Sequence, residues 1–136
     1  MPHALILPMA AHVALTALLY VLLTAARAPA VWGPGRREDG SNPWAAVEPR
    51  ISANLSNQFE WPLFFHVACL FFLSFQVSQA AVVLAWIFVG GRVAHSAVQI
   101  LTANIRLRGL VFTVNFVAVL GLWFLVVAAA GKAAAG

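Results

Sequence analysis

The chain is short of charge. Only 9% of its 136 residues are charged, four of them acidic and eight Lys or Arg, whereas 62% are hydrophobic and the mean hydropathy is +0.89. Soluble domains carry charge on about a quarter of their residues, so this composition excludes an ordinary soluble fold. The pI is near 10.7, but most of the few cations flank apolar segments, as topology signals do. We therefore expect an integral membrane protein that does not bind nucleic acid.

Cysteine is nearly absent as well. The single Cys69 cannot form an internal disulfide, so it carries no information about an oxidising compartment. The N-terminus lacks the basic region of a cleaved signal peptide, which predicts a retained first helix. His12 and His66 each stand alone in apolar runs, where a histidine is more commonly an interhelical hydrogen-bonding residue than a metal ligand. We predict no metal site.

Long apolar runs, by contrast, are abundant. Four of them have close to the roughly 20 residues that cross a bilayer. They are residues 4–26, 57–77, 80–101 and 109–131. They predict an all-α membrane protein in which residues 1–136 form one four-helix transmembrane bundle. The second helix should begin near Val47, with Pro49 in its first turn, and Pro62 should kink or loosen it just past Glu60.

The connections between these runs differ in charge. Residues 27–48 are rich in Gly, Pro and charged residues, which predicts a surface loop. This loop and the connection Thr102–Arg108 lie on one side of the predicted bundle, where most arginines are found, whereas the other side has only Lys132. The positive-inside rule then places both connections in the cytoplasm and both termini outside. We expect a multi-pass protein of the inner or plasma membrane.

Polar side chains gather at the predicted cytoplasmic end of the second and third helices. In chain order they are Asn54, Asn57, Glu60, Arg92, His95 and Gln99. An unpaired carboxylate beside an apolar segment is expensive, so we expect Glu60 to have a partner, with Arg92 as the candidate. Two interpretations remain open and are compatible: a structural polar network that includes Asn54, Arg92 and Gln99, or a ligand-binding site.

Four motifs resemble the MAPEG family of membrane enzymes in eicosanoid and glutathione metabolism, in a bacterial-type form. They are Arg50-x-x-x-Asn54-x-x-Asn57-x-x-Glu60, Gly91-Arg92-Val-Ala-His95, Arg106-x-Arg108-Gly and Leu122-Trp123. They occur in the family's order and at similar separations. The resemblance implies a homotrimer of four-helix protomers, with glutathione held between neighbouring protomers at the cytoplasmic end.

The resemblance also implies roles for individual residues. Arg108 matches the arginine that stabilises the glutathione thiolate, which makes it the expected catalytic residue. A guanidinium stays charged and favours the thiolate of a thiol whose pKa is near 8.5. The expected glutathione-binding residues are Arg27, Arg50, Asn57, Glu60 and His95. The other expected partners are lipids and lipophilic small molecules that arrive through the bilayer.

The chain departs from its relatives at four positions. It has Ala53 and Ser56 where they carry further arginines, and Gln99 and Phe112 where they carry tyrosines. A tripeptide with two carboxylates would therefore meet fewer charged partners here. The expected function is a glutathione transferase or peroxidase that acts on lipophilic electrophiles. The alternatives are a catalytically silent scaffold or a binder of another ligand, and a small proton-coupled exporter that uses Glu60.

Overall fold

Five α-helices make up most of the chain in a computed structural model that describes residues 3–135. In chain order they are α1 (Ile6–Trp32), α2 (Glu48–Ser56), α3 (Pro62–Phe71), α4 (Gln79–Leu101) and α5 (Ile105–Ala135), with a 3₁₀ turn (Phe72–Ser74) after α3. Residues 3–135 include no β-strand. The predicted all-α class is confirmed.

Three helices, α1, α4 and α5, are long and apolar enough to cross a membrane. The apolar helix formed by α3 and its 3₁₀ turn covers only Pro62–Ser74, which is shorter than the roughly 20 residues of a full span. Because proline has no N–H, Pro62 is suited to the first turn of α3, and residues 57–61 before it form turns and bends. The interruption therefore includes Glu60, whereas we predicted that it would follow Glu60.

The first helix continues to Trp32, past the predicted end at residue 26. Side chains from the following loop bond to its last carbonyl groups. Arg36 donates from Nε to the Pro29 carbonyl at 2.6 Å and from Nη2 to the Ala30 carbonyl at 2.8 Å, and Asn42 Nδ2 donates to the Ala26 carbonyl at 2.9 Å. Carbonyls at a helix end have no partner within the helix, so these bonds stabilise the extension.

The last helix begins at Ile105, four positions before the predicted residue 109. The Asn104 side chain caps it, because Asn104 Oδ1 accepts a hydrogen bond from the Leu107 N–H at 3.0 Å. Arg106 and Arg108 consequently lie in the first turn of α5 and not in a connecting loop.

The most extensive helix contact joins α4 to α5. At Gly91 the two helices approach so closely that a Cβ atom there would lie 2.2 Å from Asn115 Oδ1. The absence of a side chain at Gly91 therefore permits this close approach, whereas beside Gly90 space is open. The main core continues into α3, where the rings of Phe65 and Phe88 stack with centroids 4.1 Å apart.

A second, smaller core lies between α1 and α2. Its buried residues are Leu19, Leu23, Ala26, Ile51 and Leu55. This apolar contact fixes the short α2 against α1, while its polar residues Asn54 and Asn57 bond to α4. The arrangement positions the polar cluster described next.

Candidate functional site

The amide of Gln99 on α4 joins the two asparagines of the α2 segment. Gln99 Oε1 accepts hydrogen bonds from Asn54 Nδ2 at 2.9 Å and from Asn57 Nδ2 at 3.2 Å. Asn54 is completely buried, so these bonds satisfy a polar group that would otherwise be costly within the protein. Gln99 thus acts as a bridge between α4 and the α2 segment.

Arg92 is the most deeply buried charged residue of the described chain, with 1% of its surface exposed. Its Nε donates to Gln58 Oε1 at 3.2 Å, and its Nη2 donates to the Asn57 carbonyl at 3.1 Å. The Asn57 carbonyl stands at the point where α2 ends, so the guanidinium satisfies backbone that the interruption has freed.

Gln58 connects these two sets of bonds. Its Nε2 donates to the carbonyl and to the side-chain Oδ1 of Asn54, at 3.1 and 3.2 Å, while its Oε1 accepts from Arg92 and also from His12. His12 in turn contacts His66, with 3.0 Å between His12 Nδ1 and His66 Nε2. Gln58 Nε2 also donates to Ser96 Oγ at 3.4 Å. We call this connected set the Arg92 network; its members are His12, Asn54, Asn57, Gln58, His66, Arg92, Ser96 and Gln99.

Glu60 does not belong to the Arg92 network. Its side chain is exposed, and within residues 3–135 it forms no hydrogen bond and no ion pair. Glu60 thus forms no direct ion pair with Arg92, although its charge lies near enough to favour the positive charge of the guanidinium. The physical reason is the interruption of the helix at residues 57–61, which turns Glu60 outward and presents Gln58 and the Asn57 carbonyl to Arg92.

Arg108 has a very different environment. It is exposed, and its guanidinium forms no hydrogen bond within the part of the chain that the structure describes. It lines two cavities, which we call the Arg108 cavities. One has a volume of about 340 Å³ and is also lined by Arg50, Ala53, Gln99 and Asn104. The other, about 330 Å³, is also lined by Asn57, His95, Gly109 and Phe112.

His95 lies at the inner wall of the second of these cavities. Only 4% of its surface is exposed, and its Nδ1 atom is buried without a hydrogen-bond partner among the described residues. Its ring centroid is 6.2 Å from that of Phe112. The cavity therefore combines a guanidinium, an amide and an imidazole with one aromatic wall that lacks a hydroxyl.

Arg27 lies away from the Arg108 cavities. Its Nε donates to Glu48 Oε1 at 2.6 Å, and its Nη2 donates to Ser52 Oγ at 3.3 Å, which joins the end of α1 to α2. Of the six residues predicted for catalysis and glutathione binding, Arg108, Arg50, Asn57 and His95 thus line the Arg108 cavities, while Arg27 and Glu60 do not.

Sequence reasoning missed the part played by Gln58 and treated His12 and His66 as isolated. Gln58 lies in the polar stretch just before an apolar segment, and this position could have identified it as a member of the polar cluster. The two histidines do form interhelical hydrogen bonds, as expected, but they bond to each other and to Gln58. Only the packing of α1 against α3 reveals that pairing.

Comparison with protein families gives one match, to the MAPEG family, over residues 5–128. The match covers nearly the whole described chain, including all four motifs and both Arg108 cavities. No curated protein matches the chain, and no solved structure matches it either.

Proposed function

Because the chain belongs to the MAPEG family of integral membrane proteins, we propose that it is a glutathione transferase or peroxidase acting on lipophilic electrophiles. The observation that carries the proposal is the position of Arg108, which lines both cavities at the end of α4 and the start of α5 and has no protein partner within the described residues. An exposed guanidinium at a cavity wall, next to Arg50 and Asn57, suits a small anionic thiol peptide.

In this proposal Arg108 stabilises the glutathione thiolate. Arg50 binds a carboxylate of the tripeptide, and Asn57 orients its backbone. The thiolate sulfur forms a bond to an electrophilic carbon of the second substrate, and the leaving group departs with the bonding electron pair. Positioning and charge stabilisation supply the acceleration, so the chain needs no nucleophile of its own.

We further propose that four spans and a homotrimer complete the site. The second span would consist of α3 with the interrupted segment before it, and its shortness is offset by burial of the free backbone groups through the Arg92 network. Arg27 and Glu60, which lie outside the cavities of one chain, would meet glutathione held against a neighbouring copy. The site would lie at the cytoplasmic end, where the arginine-rich connections are.

The test is a titration of glutathione into the detergent-purified protein, followed by ultraviolet thiolate absorbance and by thermal unfolding. We expect saturable stabilisation together with a thiolate signal, and we expect Arg108→Ala to lose that signal. Arg106→Ala is the matched control, because Arg106 lies in the same helical turn but lines neither Arg108 cavity. If Arg108→Ala keeps the wild-type thiolate absorbance, Arg108 does not have the proposed role.

A second candidate function is a MAPEG-shaped scaffold without catalysis. It is favoured by the side chains Ala53 and Phe112, which line the Arg108 cavities at positions where relatives carry arginine and tyrosine. The same titration separates the two candidates, since a scaffold would show neither a thiolate signal nor stabilisation at millimolar glutathione.

A further inference from the structure

A third cavity lies on the other side of the Arg92 network, between α1 and the segment that links α2 to α3. Its volume is about 340 Å³, and apolar walls come from Val13, Phe59 and Leu63. None of the residues that line it is Lys, Arg, Asp or Glu, and none belongs to the predicted glutathione site. It is the size of a small-molecule pocket. We call it the His66 cavity, because His66 and His12 are among its lining residues.

The directions of the hydrogen bonds behind this cavity follow from Arg92. A guanidinium can only donate, so the Gln58 atom that it contacts must be the carbonyl oxygen Oε1. The same oxygen contacts His12 Nε2 at 3.0 Å. An oxygen without a proton can only accept, so His12 Nε2 carries a hydrogen and donates it.

His12 must be neutral in this arrangement. Only 2% of its surface is exposed, Arg92 already places one positive charge in the network, and no carboxylate joins the network within residues 3–135. A second buried positive charge without an anion would be strongly unfavourable. With its proton on Nε2, neutral His12 has an unprotonated Nδ1, which can only accept.

The remaining hydrogen bond then determines which ring nitrogen of His66 carries the hydrogen. His12 Nδ1 lies 3.0 Å from His66 Nε2, so His66 Nε2 must donate, and a neutral His66 keeps a lone pair on Nδ1. That Nδ1 forms no hydrogen bond within the described chain. Thr16 also uses its hydroxyl hydrogen, which it donates to the His12 carbonyl at 3.0 Å. The polar groups that His66 and Thr16 contribute to the cavity are therefore acceptors, and the hydroxyl of Tyr20, which also lines the cavity, can accept as well as donate.

We propose that the His66 cavity binds a neutral lipophilic molecule with a hydroxyl group, such as an alkylphenol or a long-chain alcohol, which donates its hydrogen bond to His66 Nδ1. Apolar walls hold the hydrocarbon part, the acceptors select a hydroxyl donor, and the absence of a cationic wall residue disfavours carboxylates and phosphates. The site is separate from the proposed glutathione site and does not depend on it.

The test uses 4-hexylphenol and its methyl ether, 4-hexylanisole, which has the same apolar body but no donor. Protein labelled with nitrogen-15 at histidine is placed in lipid nanodiscs, and the ring nitrogen signals are followed by NMR without any glutathione. In the free protein we expect both His12 and His66 to be neutral with the hydrogen on Nε2. The phenol should shift the His66 Nδ1 signal and should bind about tenfold more tightly than the ether.

Two variants make the test specific. Leu63→Trp fills the cavity while leaving both histidines in the chain and should abolish phenol binding. Leu70→Trp is the matched control, since Leu70 is an exposed leucine of the same helix that does not line the cavity, and it should bind phenol normally. Equal binding of phenol and ether, binding of neither, or a His66 that carries its hydrogen on Nδ1 would each overturn the proposal.

Discussion

Two arginines of the α4–α5 helix pair have opposite environments. Arg92, in the middle of α4, is enclosed and bonded to Gln58 and to the backbone of Asn57. Arg108, in the first turn of α5, is exposed between two cavities and has no protein partner within residues 3–135. The comparison teaches that the partnered guanidinium maintains the fold, while the unpartnered one is free to bind a ligand. Four predictions test this difference.

The largest effect should come from Gln58→Leu. This change removes the oxygen that accepts hydrogen bonds from both Arg92 Nε and His12 Nε2. Because both groups are buried and Arg92 is charged, losing their shared acceptor should lower the free energy of unfolding by about 3 kcal/mol. Reversible denaturation in detergent measures it. Ser56→Ala, on an exposed residue nearby, should change stability by less than about 0.5 kcal/mol. Similar stability of the two variants would mean that the network is not structural.

A smaller effect is expected for Gly91→Ala, beside Arg92. The new methyl group would meet Asn115 Oδ1, and overpacking at a close helix contact should destabilise the protein by about 2 kcal/mol. Gly90→Ala, at the preceding position, has open space and should be neutral or slightly stabilising. The same denaturation measurement compares them. The double variant Gly91→Ala/Asn115→Ala should regain much of the lost stability, and failure to regain it would argue against this contact as the cause.

Arg108→Ala should weaken glutathione binding without changing stability, whereas Gln58→Leu should lower stability. Because Arg108 has no partner in the described chain, its removal should leave the free energy of unfolding unchanged within about 0.5 kcal/mol. Glutathione affinity should fall about tenfold, which corresponds to one lost charge-assisted contact of about 1.4 kcal/mol. Calorimetric titration and denaturation of the same preparation measure both quantities. A marked loss of stability with unchanged glutathione affinity would show that Arg108 maintains the fold and does not bind glutathione.

The smallest effect should follow from Phe112→Tyr. The new hydroxyl would stand in the cavity shared by Arg108 and His95, where one added neutral hydrogen bond should tighten glutathione binding by about threefold to fivefold. Phe116→Tyr, one turn further along α5 and outside that cavity, is the control. Equal affinities for the two variants would indicate that glutathione does not reach the aromatic wall.

Much of the fold could be predicted from local pattern. Apolar runs located α1, α4 and α5, Pro49 marked the start of α2, and Pro62 indicated the disturbance of the helix before α3. Helix ends were harder, because they depend on capping by distant or adjacent side chains. Hydrogen bonds from Arg36 and Asn42 support the part of α1 that continues past residue 26, and the Asn104 cap lets α5 begin before the predicted residue 109. The length of an apolar run in the sequence does not reveal these hydrogen bonds.

The candidate site was predictable in its residue types but not in its pairing. The motifs identified Arg108, Arg50, Asn57 and His95, which do line the Arg108 cavities. They also suggested that Glu60 pairs with Arg92, but with the interruption after α2 the two residues form no direct ion pair and interact only through their charges. Helical spacing assumes continuous helix, and a break of a few residues rotates every later side chain relative to those before it.

The sequence by itself determined that this is an all-α integral membrane protein of the MAPEG family, since hydrophobicity, charge distribution and motif order are local properties of the chain. Only the tertiary structure decided which polar groups are partnered. His12 lies on α1, Gln58 in the segment between α2 and α3, and His66 on α3, and the direction of their hydrogen bonds follows from the guanidinium of Arg92 on α4. Which polar groups form hydrogen bonds depends on the distances between helices. Those distances result from the packing of many side chains and cannot be read from any single residue.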